Sequence, residues 1–147
     1  ITSMRFFTVY GPWGRPDMAL YKFANGIIKN KKINLFNKGD HYRDFTYIED
    51  VVRSIKKLIL KPPKKNIPFE IYNIGSNQPK SLKYFISLIE GILQKKSKKN
   101  FLKIQKGDVH KTHADIRKLK NKTGIKINTS LEEGIIKYIK WLRKYNH

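Results

Sequence analysis

The 147-residue sequence contains no cysteine, so a disulfide framework, a thiolate metal site and a cysteine nucleophile are all excluded. No apolar run approaches the length that spans a bilayer, and no signal-peptide pattern opens the chain. Motifs of two other classes are missing, because neither a serine nucleophile elbow nor a glycine-rich phosphate-binding loop occurs. We therefore expect a cytoplasmic protein with no membrane partner.

Acidic side chains are few: 11 stand against 32 lysines and arginines, which gives a net charge of +21. This charge favours nucleic-acid partners, because basic side chains neutralise phosphates and release counterions. Only six of the basic residues are arginine, the side chain suited to bidentate contacts with bases and phosphates. Lysine rises together with isoleucine and asparagine, as an AT-rich coding sequence would produce. We favour codon bias, and the alternative is a lysine-rich, non-enzymatic domain that binds nucleic acid or acidic polymers.

Length and periodicity predict one mixed α/β domain, since the chain is too short for two domains of ordinary size. Apolar residues recur at helical spacing near residues 17–30, 49–60, 82–93 and 131–142. A further short helix is expected around residues 115–122, ending near Gly124. Extended segments are predicted near residues 5–10, 33–36, 45–48, 70–75 and 101–104. Ser81 and either Thr129 or Ser130 are candidates for helix N-caps, and Asp17 is expected to be an N-cap or a first-turn acid.

The opening segment holds the densest group of polar and aromatic side chains. An apolar strand ends at Gly11 and Pro12, and Pro16 and Asp17 then start a helix. Such a turn lies at the carboxyl edge of an α/β sheet, which is where these sheets hold their ligands. The side chains that this turn directs to one place are those of Thr8, Tyr10, Trp13 and Arg15.

Four motifs follow one another between residues 5 and 115, namely RFFTVYGPWGRPDMA, GDHYRDFTYIEDV, IYNIG and QKGDVHKTHAD. Together they resemble the second half of the UDP-glucuronate 4-epimerases, which are extended short-chain dehydrogenases/reductases. The resemblance implies an α/β fold: the last strands of a Rossmann-like sheet plus a small α/β substrate-binding lobe, without the N-terminal NAD-binding half. The runner-up is a small free-standing α/β domain.

The resemblance also implies that part of the enzyme is absent. The family's glycine-rich dinucleotide loop, and the tyrosine and lysine of its redox step, precede the matched segment. We therefore expect residues 1–147 to be a single substrate-binding region, truncated at its N-terminus, with no catalytic residue of its own and inactive alone. NAD would be the cofactor of the full-length enzyme, and a sheet cut in this way would expose an edge strand and favour self-association.

Arg43 is the first candidate ligand-binding residue, because a guanidinium just after a glycine turn and before a strand can offer paired donors to a diphosphate. The alternative is a surface ion pair with Asp44 or Asp40. In the resembled epimerases the arginine of this Arg-Asp-Phe motif contacts the nucleotide diphosphate, which implies that role for Arg43.

Thr8 and Arg15 are candidates for substrate recognition. By resemblance they would bind the carboxylate of a uronic acid, so that the partner would be a UDP-sugar of that type. The alternatives are that Thr8 is a buried strand residue satisfied by the backbone and that Arg15 is an N-terminal surface residue.

Gln105 and Asp108 would lie near the nucleotide ribose and diphosphate by the same resemblance. A carboxylate on this turn can accept two hydroxyl hydrogen bonds, and the alternative for Asp108 is an Asx-type turn that caps its own backbone. Two departures bear on this loop, since the family usually has proline where Lys106 stands and tyrosine where His113 stands.

Tyr10, Gly11 and Pro12 resemble the family's turn beside the nicotinamide end of the cofactor, where the contact is mostly with the backbone. No metal site is expected, because His110 and His113 have no further histidine nearby and no clear helix to hold them.

Overall fold

A computed structural model describes residues 1–64 and 66–145, which form seven β-strands and five α-helices. The strands are β1 (Thr2–Phe6), β2 (Thr8–Tyr10), β3 (Lys32–Phe36), β4 (Tyr42–Tyr47), β5 (Glu70–Ile74), β6 (Pro79–Ser81) and β7 (Lys98–Leu102). The helices are α1 (Ala19–Ile28), α2 (Ile48–Ile59), α3 (Leu82–Leu93), α4 (Arg117–Thr123) and α5 (Leu131–Tyr145). The predicted α/β class is confirmed.

Three small groups of strands organise the chain. Strand β1 pairs in parallel with β5, β2 pairs in parallel with β4, and β3 pairs in parallel with β7. Strand β6 lies antiparallel on the other side of β4. Each parallel pair needs a crossover connection, and helices provide it. Because β2 and β4 run in the same direction, the amino ends of both strands lie on the same side of the sheet.

Two hydrophobic clusters hold these strands. The first joins β2 and β4 to helices α1, α3 and α5, and the rings of Phe45 and Phe85 stack in it with centroids 4.3 Å apart. The second joins β5 to α2 and α4 through buried residues such as Val51, Tyr72 and Leu119. Helix α2 is strongly amphipathic and ends at Ile59, before two prolines that cannot continue it.

The structure confirms two of the predicted helix N-caps and contradicts a third. Ser81 caps α3, since its Oγ accepts a hydrogen bond from Tyr84 N at 3.1 Å. Of the two candidates for α5, Ser130 accepts from Glu133 N at 3.1 Å and is the cap. The predicted cap at Asp17 is wrong, because α1 begins at Ala19 and Asp17 pairs with Arg15 instead.

Two strand predictions also differ from the structure. Strand β7 runs from Lys98 to Leu102, a few residues before the predicted 101–104. Strand β6 was not predicted, because it has only three residues and begins at Pro79, which lacks a backbone donor. Among the described residues, no helix is long and apolar enough to cross a bilayer.

A buried carboxylate joins α3 to β7. Glu90 is 7% exposed, and its Oε1 accepts hydrogen bonds from Ser97 N at 3.0 Å and Lys99 Nζ at 3.0 Å. Burial by itself would raise the pKa of Glu90, but the hydrogen bonds from Ser97 and Lys99 outweigh burial and lower this pKa to about 2.

Replacing Glu90 by glutamine should remove a pH-dependent part of the stability. A carboxyl group whose pKa is depressed by folding stabilises the protein above its unfolded pKa of about 4.3, and this stability is lost as the pH falls towards the folded value. We expect the free energy of unfolding of the wild-type chain to fall more steeply between pH 4.3 and about 2 than that of Glu90→Gln. Urea unfolding followed by circular dichroism measures this difference. Glu132→Gln, an exposed change on α5, should follow the wild type.

Candidate functional site

Two clefts meet beside β2 and β4, one at the amino ends of the two strands and the other along β2 as far as Gly11. One has a volume of about 300 Å³ and contains Arg43, His41 and Asp108, and we name it the Arg43 cleft. The other has a volume of about 360 Å³ and contains Arg15, and we name it the Arg15 cleft. The residues that line both are Thr8, Met18, Ala19 and Phe45. The clefts therefore form one groove, with Thr8 in its wall between the two arginines.

Arg43 is held by three hydrogen bonds at the wall of its cleft. Its Nη1 donates to the carbonyl oxygens of Tyr42 at 3.0 Å and His110 at 3.2 Å. Its Nη2 donates to Asp108 Oδ1 at 2.6 Å. The alternative in which Arg43 pairs with Asp44 or Asp40 is therefore wrong. A guanidinium fixed in this way is pre-oriented for an anion, because its planar fork loses little freedom on binding.

Asp44, the next residue along β4, is fully buried and points to the opposite side of the strand. Its Oδ1 accepts from the backbone N of Ser76 at 2.6 Å and from the hydroxyl of Ser76 at 2.8 Å. Its Oδ2 accepts from Asn77 N at 3.0 Å and Ala114 N at 2.9 Å. The backbone N of Asp44 also donates to Thr112 Oγ1 at 3.1 Å. This carboxylate thus ties β4 to two loops, one of which carries Asp108.

The junction around Asp44 requires a glycine at position 75. A Cβ atom on Gly75 would lie 2.2 Å from Ala114 Cβ and 3.2 Å from Asp44 Oδ1. The first distance is too short for two carbon atoms and the second is tight, so the loop approaches this closely because Gly75 has no side chain.

Asp108 is contacted on both of its oxygens. Arg43 donates to Oδ1, and the ring Nε2 of His41 lies 3.3 Å from Oδ2. The backbone N of Asp108 donates to Gln105 O at 3.1 Å, which forms the turn of this loop. The Asx-turn alternative for the Asp108 carboxylate is therefore not what its contacts show: the carboxylate faces Arg43 and the cleft.

Sequence reasoning missed His41. It stands two residues before Arg43, and in an extended chain that spacing places two side chains on one side. This spacing is the signal that could have identified His41 as a neighbour of Arg43.

Thr8 and Arg15 occupy different positions along the groove. Thr8 is half-buried on β2, opposite Phe45 of β4. Arg15 is largely exposed, and it pairs with Asp17 through Nε at 3.1 Å and Nη2 at 2.8 Å. An exposed pair of this kind is weak, so Asp17 does not prevent Arg15 from binding another anion.

The side chain of Tyr10 is part of the core. Its ring packs edge to face on Phe45 and Tyr47, and its hydroxyl lies 3.5 Å from the carbonyl oxygens of Ser130 and Leu131. Burial raises the pKa of Tyr10, and the nearby Tyr47 and Glu133 raise it further. This tyrosine therefore stays protonated at neutral pH, and only its backbone is available to a ligand.

The remaining candidates lie at the margin of the groove. Gly11 lines the Arg15 cleft, with a φ of 146° that glycine accepts readily. Pro12 and Gln105 line neither cleft. Within residues 1–64 and 66–145, no three His, Cys, Asp or Glu side chains come together as a metal site.

The fold and the groove define a class of protein. One groove beside the parallel strands β2 and β4 presents a guanidinium, a carboxylate and a hydroxyl. The model of the NAD dependent epimerase/dehydratase family matches residues 1–75, just over half of the chain, and the chain belongs to that family.

The relatives include UDP-glucuronate 4-epimerases. The chain is 40% identical to a probable UDP-glucuronate 4-epimerase of Rhizobium meliloti, over 95% of this chain and 46% of that protein. It is 40% identical to UDP-glucuronate 4-epimerase 1 of Arabidopsis thaliana, over 99% of this chain and 37% of that protein. The chain therefore spans less than half the length of these two relatives.

The chain is also similar in structure to a UDP-glucuronic acid 4-epimerase. The UDP-glucuronic acid 4-epimerase of Bacillus cereus, in complex with UDP-glucuronic acid and NAD, superposes with a TM-score of 0.89 at 36% identity. The match covers 97% of this chain and 45% of that one, in its C-terminal half. The fold predicted from the resemblance, the last part of an extended short-chain dehydrogenase/reductase, is confirmed.

The close approach at Gly75 generates a prediction about stability. Gly75→Ala should destabilise the chain by about 1–3 kcal/mol, because the new methyl group overpacks a filled site. The matched control is Gly91→Ala in α3, where a Cβ atom would meet nothing within 4 Å. That change should be neutral or stabilise by about 0.5–1 kcal/mol, because alanine is the better helix former. Urea midpoints of the two variants test the contrast, and equal midpoints would contradict it.

Proposed function

We propose that this chain forms the sugar-nucleotide-binding half of an NAD-dependent UDP-glucuronate 4-epimerase. The observation that carries the proposal is the pairing of Arg43 with Asp108 at a cleft whose wall contains Thr8. This pairing places a fixed guanidinium, a carboxylate that can accept hydrogen bonds from hydroxyl groups, and the polar side chain of Thr8 in one groove. The proposal is supported by similarity to UDP-glucuronate 4-epimerases of Rhizobium meliloti, Arabidopsis thaliana and Bacillus cereus.

Arg43 would bind the diphosphate. Two of its hydrogen bonds go to backbone carbonyls and hold the guanidinium in place, while Nη2 faces the cleft through Asp108. An incoming diphosphate would share or replace the contact with Asp108. Asp108 would then accept hydrogen bonds from the ribose hydroxyls, with Gln105 at the edge of the same loop.

Thr8 and Arg15 would select the acid group of the sugar. Thr8 offers a hydroxyl where the two clefts join, and Arg15 offers a guanidinium that is opposed only by the exposed Asp17. A uronic acid presents a carboxylate that a neutral sugar lacks, and arginine pairs with carboxylates in bidentate geometry. The sugar would therefore lie along the Arg15 cleft.

NAD would contact this chain only at its margin. The buried Tyr10 ring leaves backbone groups of Tyr10, Gly11 and Pro12 as the available contacts, and the chain contains no glycine-rich loop for the pyrophosphate. When bound, the cofactor supplies the hydride exchange at C4 of the sugar. The contribution of this chain is to bind and orient the sugar nucleotide, so we propose that it does not turn over alone.

Calorimetric titration with UDP, UDP-glucuronate and UDP-glucose tests this function. Arg43→Ala should weaken the binding of all three ligands by about tenfold to a hundredfold, which corresponds to the loss of a charge-assisted hydrogen bond. Arg15→Ala should remove the preference for UDP-glucuronate over UDP-glucose and leave the affinity for UDP unchanged. The control is Arg117→Ala, which breaks an exposed pair with Asp115, at the same two-residue spacing, outside both clefts.

Two results would count against the proposal. If the wild-type chain bound no UDP ligand but bound duplex DNA with strong salt dependence, the lysine-rich alternative would be favoured. A purified chain that interconverted UDP-glucuronate and UDP-galacturonate with NAD would overturn the claim that the chain is inactive alone.

We also propose self-association through β1. Among the described residues this strand pairs only with β5, and apolar side chains stand exposed on and beside the pair. These side chains are Ile1, Phe6, Ile67 and Phe69. An unpaired edge flanked by apolar surface is a template for pairing with another copy of the chain.

Sedimentation at increasing protein concentration tests this association. Phe6→Lys should shift the monomer–dimer midpoint to at least about tenfold higher concentration, because a charge on the edge strand opposes pairing. Phe101→Lys replaces an exposed aromatic residue on β7 and should leave the midpoint unchanged. A wild-type chain that stays monomeric at high concentration would refute the proposal.

A further inference from the structure

His41 is a buried side chain whose ring nitrogen lacks a hydrogen bond. The residue is 3% exposed, and its Nε2 has no hydrogen-bond partner among the described residues. The nearest charged atom is Asp108 Oδ2 at 3.3 Å, close enough for a contact but without the alignment of a hydrogen bond. A buried polar atom left unpaired costs free energy, so the presence of such an atom needs an explanation.

The position of His41 is fixed by its backbone. Its carbonyl oxygen accepts from Leu82 N at 2.8 Å, where α3 begins. From there the ring lines the Arg43 cleft behind Asp108. His41 therefore reaches the ligand groove through Asp108, because its Nε2 is itself shielded from solvent.

The groups around His41 leave Asp108 as its partner. His110, on the same loop as Asp108, has its ring centroid 6.4 Å from that of His41, and its Nε2 lies 3.4 Å from Asp40 Oδ2. Arg43 is bonded to the other oxygen of Asp108. The Asp108 carboxylate thus stands between a guanidinium on Oδ1 and an imidazole beside Oδ2.

We propose that His41 is a positioning residue that holds Asp108 when a nucleotide occupies the cleft. A diphosphate competes for Arg43 Nη2, the strongest partner of Asp108. Once that bond weakens, His41 Nε2–H donates to Oδ2 and keeps the carboxylate oriented towards the ribose hydroxyls. This inference rests on the proposed sugar-nucleotide function and adds His41 to its recognition of the ribose.

The consequence is selectivity for the ribose hydroxyls. A site built to pair with a hydroxyl rejects an analogue that lacks it, because the acceptor is then left unpaired. That rejection requires an acceptor whose direction is fixed. His41 fixes it from the buried side while the hydroxyls approach from the cleft.

The test compares the dissociation constants of UDP and 2′,3′-dideoxy-UDP by calorimetry. The wild-type chain should prefer UDP, and His41→Met, which fills the space without a donor, should reduce this preference by about threefold to tenfold. His41→Gln should restore it, because its amide nitrogen reaches the place of Nε2. His113→Met is the control, since His113 bonds to Asn77 and lines neither cleft. In an Asp108→Ala background, His41→Met should have no further effect on the ratio.

The outcomes separate this inference from the proposed function. A wild-type chain that binds no UDP overturns both. Binding that depends on Arg43, but in which His41→Met weakens UDP and dideoxy-UDP equally, overturns the inference alone and leaves His41 a packing residue. If His41→Met does not fold, nitrogen resonances of the wild-type imidazoles replace it: UDP should shift His41 Nε2 and leave His113 Nε2 in place, and an unmoved His41 signal overturns the inference.

Discussion

The buried carboxylate of Asp44 is the constraint on which the site depends. It accepts hydrogen bonds from the hydroxyls of Thr46 and Ser76 and from three backbone N–H groups. These N–H groups belong to Ser76, Asn77 and Ala114, on two loops far apart in sequence. Removing the carboxylate would leave these buried donors without an acceptor, which is costlier than the loss of one exposed contact. Because side chains alternate along a strand, burying Asp44 also turns Arg43 outwards to the cleft. One strand therefore supplies both the anchor of the loops and the candidate ligand-binding cation.

The sequence predicted those parts of the fold that depend on neighbours along the chain. Periodicity located four of the five helices in the described residues, and capping chemistry identified Ser81 and reduced the cap of α5 to two candidates, of which Ser130 is the cap. It failed at Asp17, where a side-chain pair with Arg15 replaces the cap, and at the short strand β6, whose existence depends on pairing with β4. Helix signals are local, whereas a three-residue strand is defined only by its partner.

The residues of the candidate site that could be predicted are those that lie in recognisable motifs. Arg43 and Asp108 were expected to bind parts of one nucleotide, and the structure brings them into direct contact across 65 positions of sequence. The roles of Asp44 and His41 could not be read in advance, because their partners lie on loops whose approach is set by packing at Gly75. A buried acid and a surface acid look alike in a sequence. Only the donors around them tell the two apart.

The high positive charge and the groove act at different ranges. Lysines spread over the surface attract any polyanion, and this attraction is screened by salt over about 10 Å. They can speed the approach of a sugar nucleotide, but they cannot distinguish a diphosphate from a nucleic acid. Discrimination requires fixed donors and acceptors at short range, which the described residues provide where Arg43, held by two carbonyls, meets Asp108. Under the proposed function, the net charge of +21 would therefore affect the rate of encounter, and the groove would determine which ligand is bound.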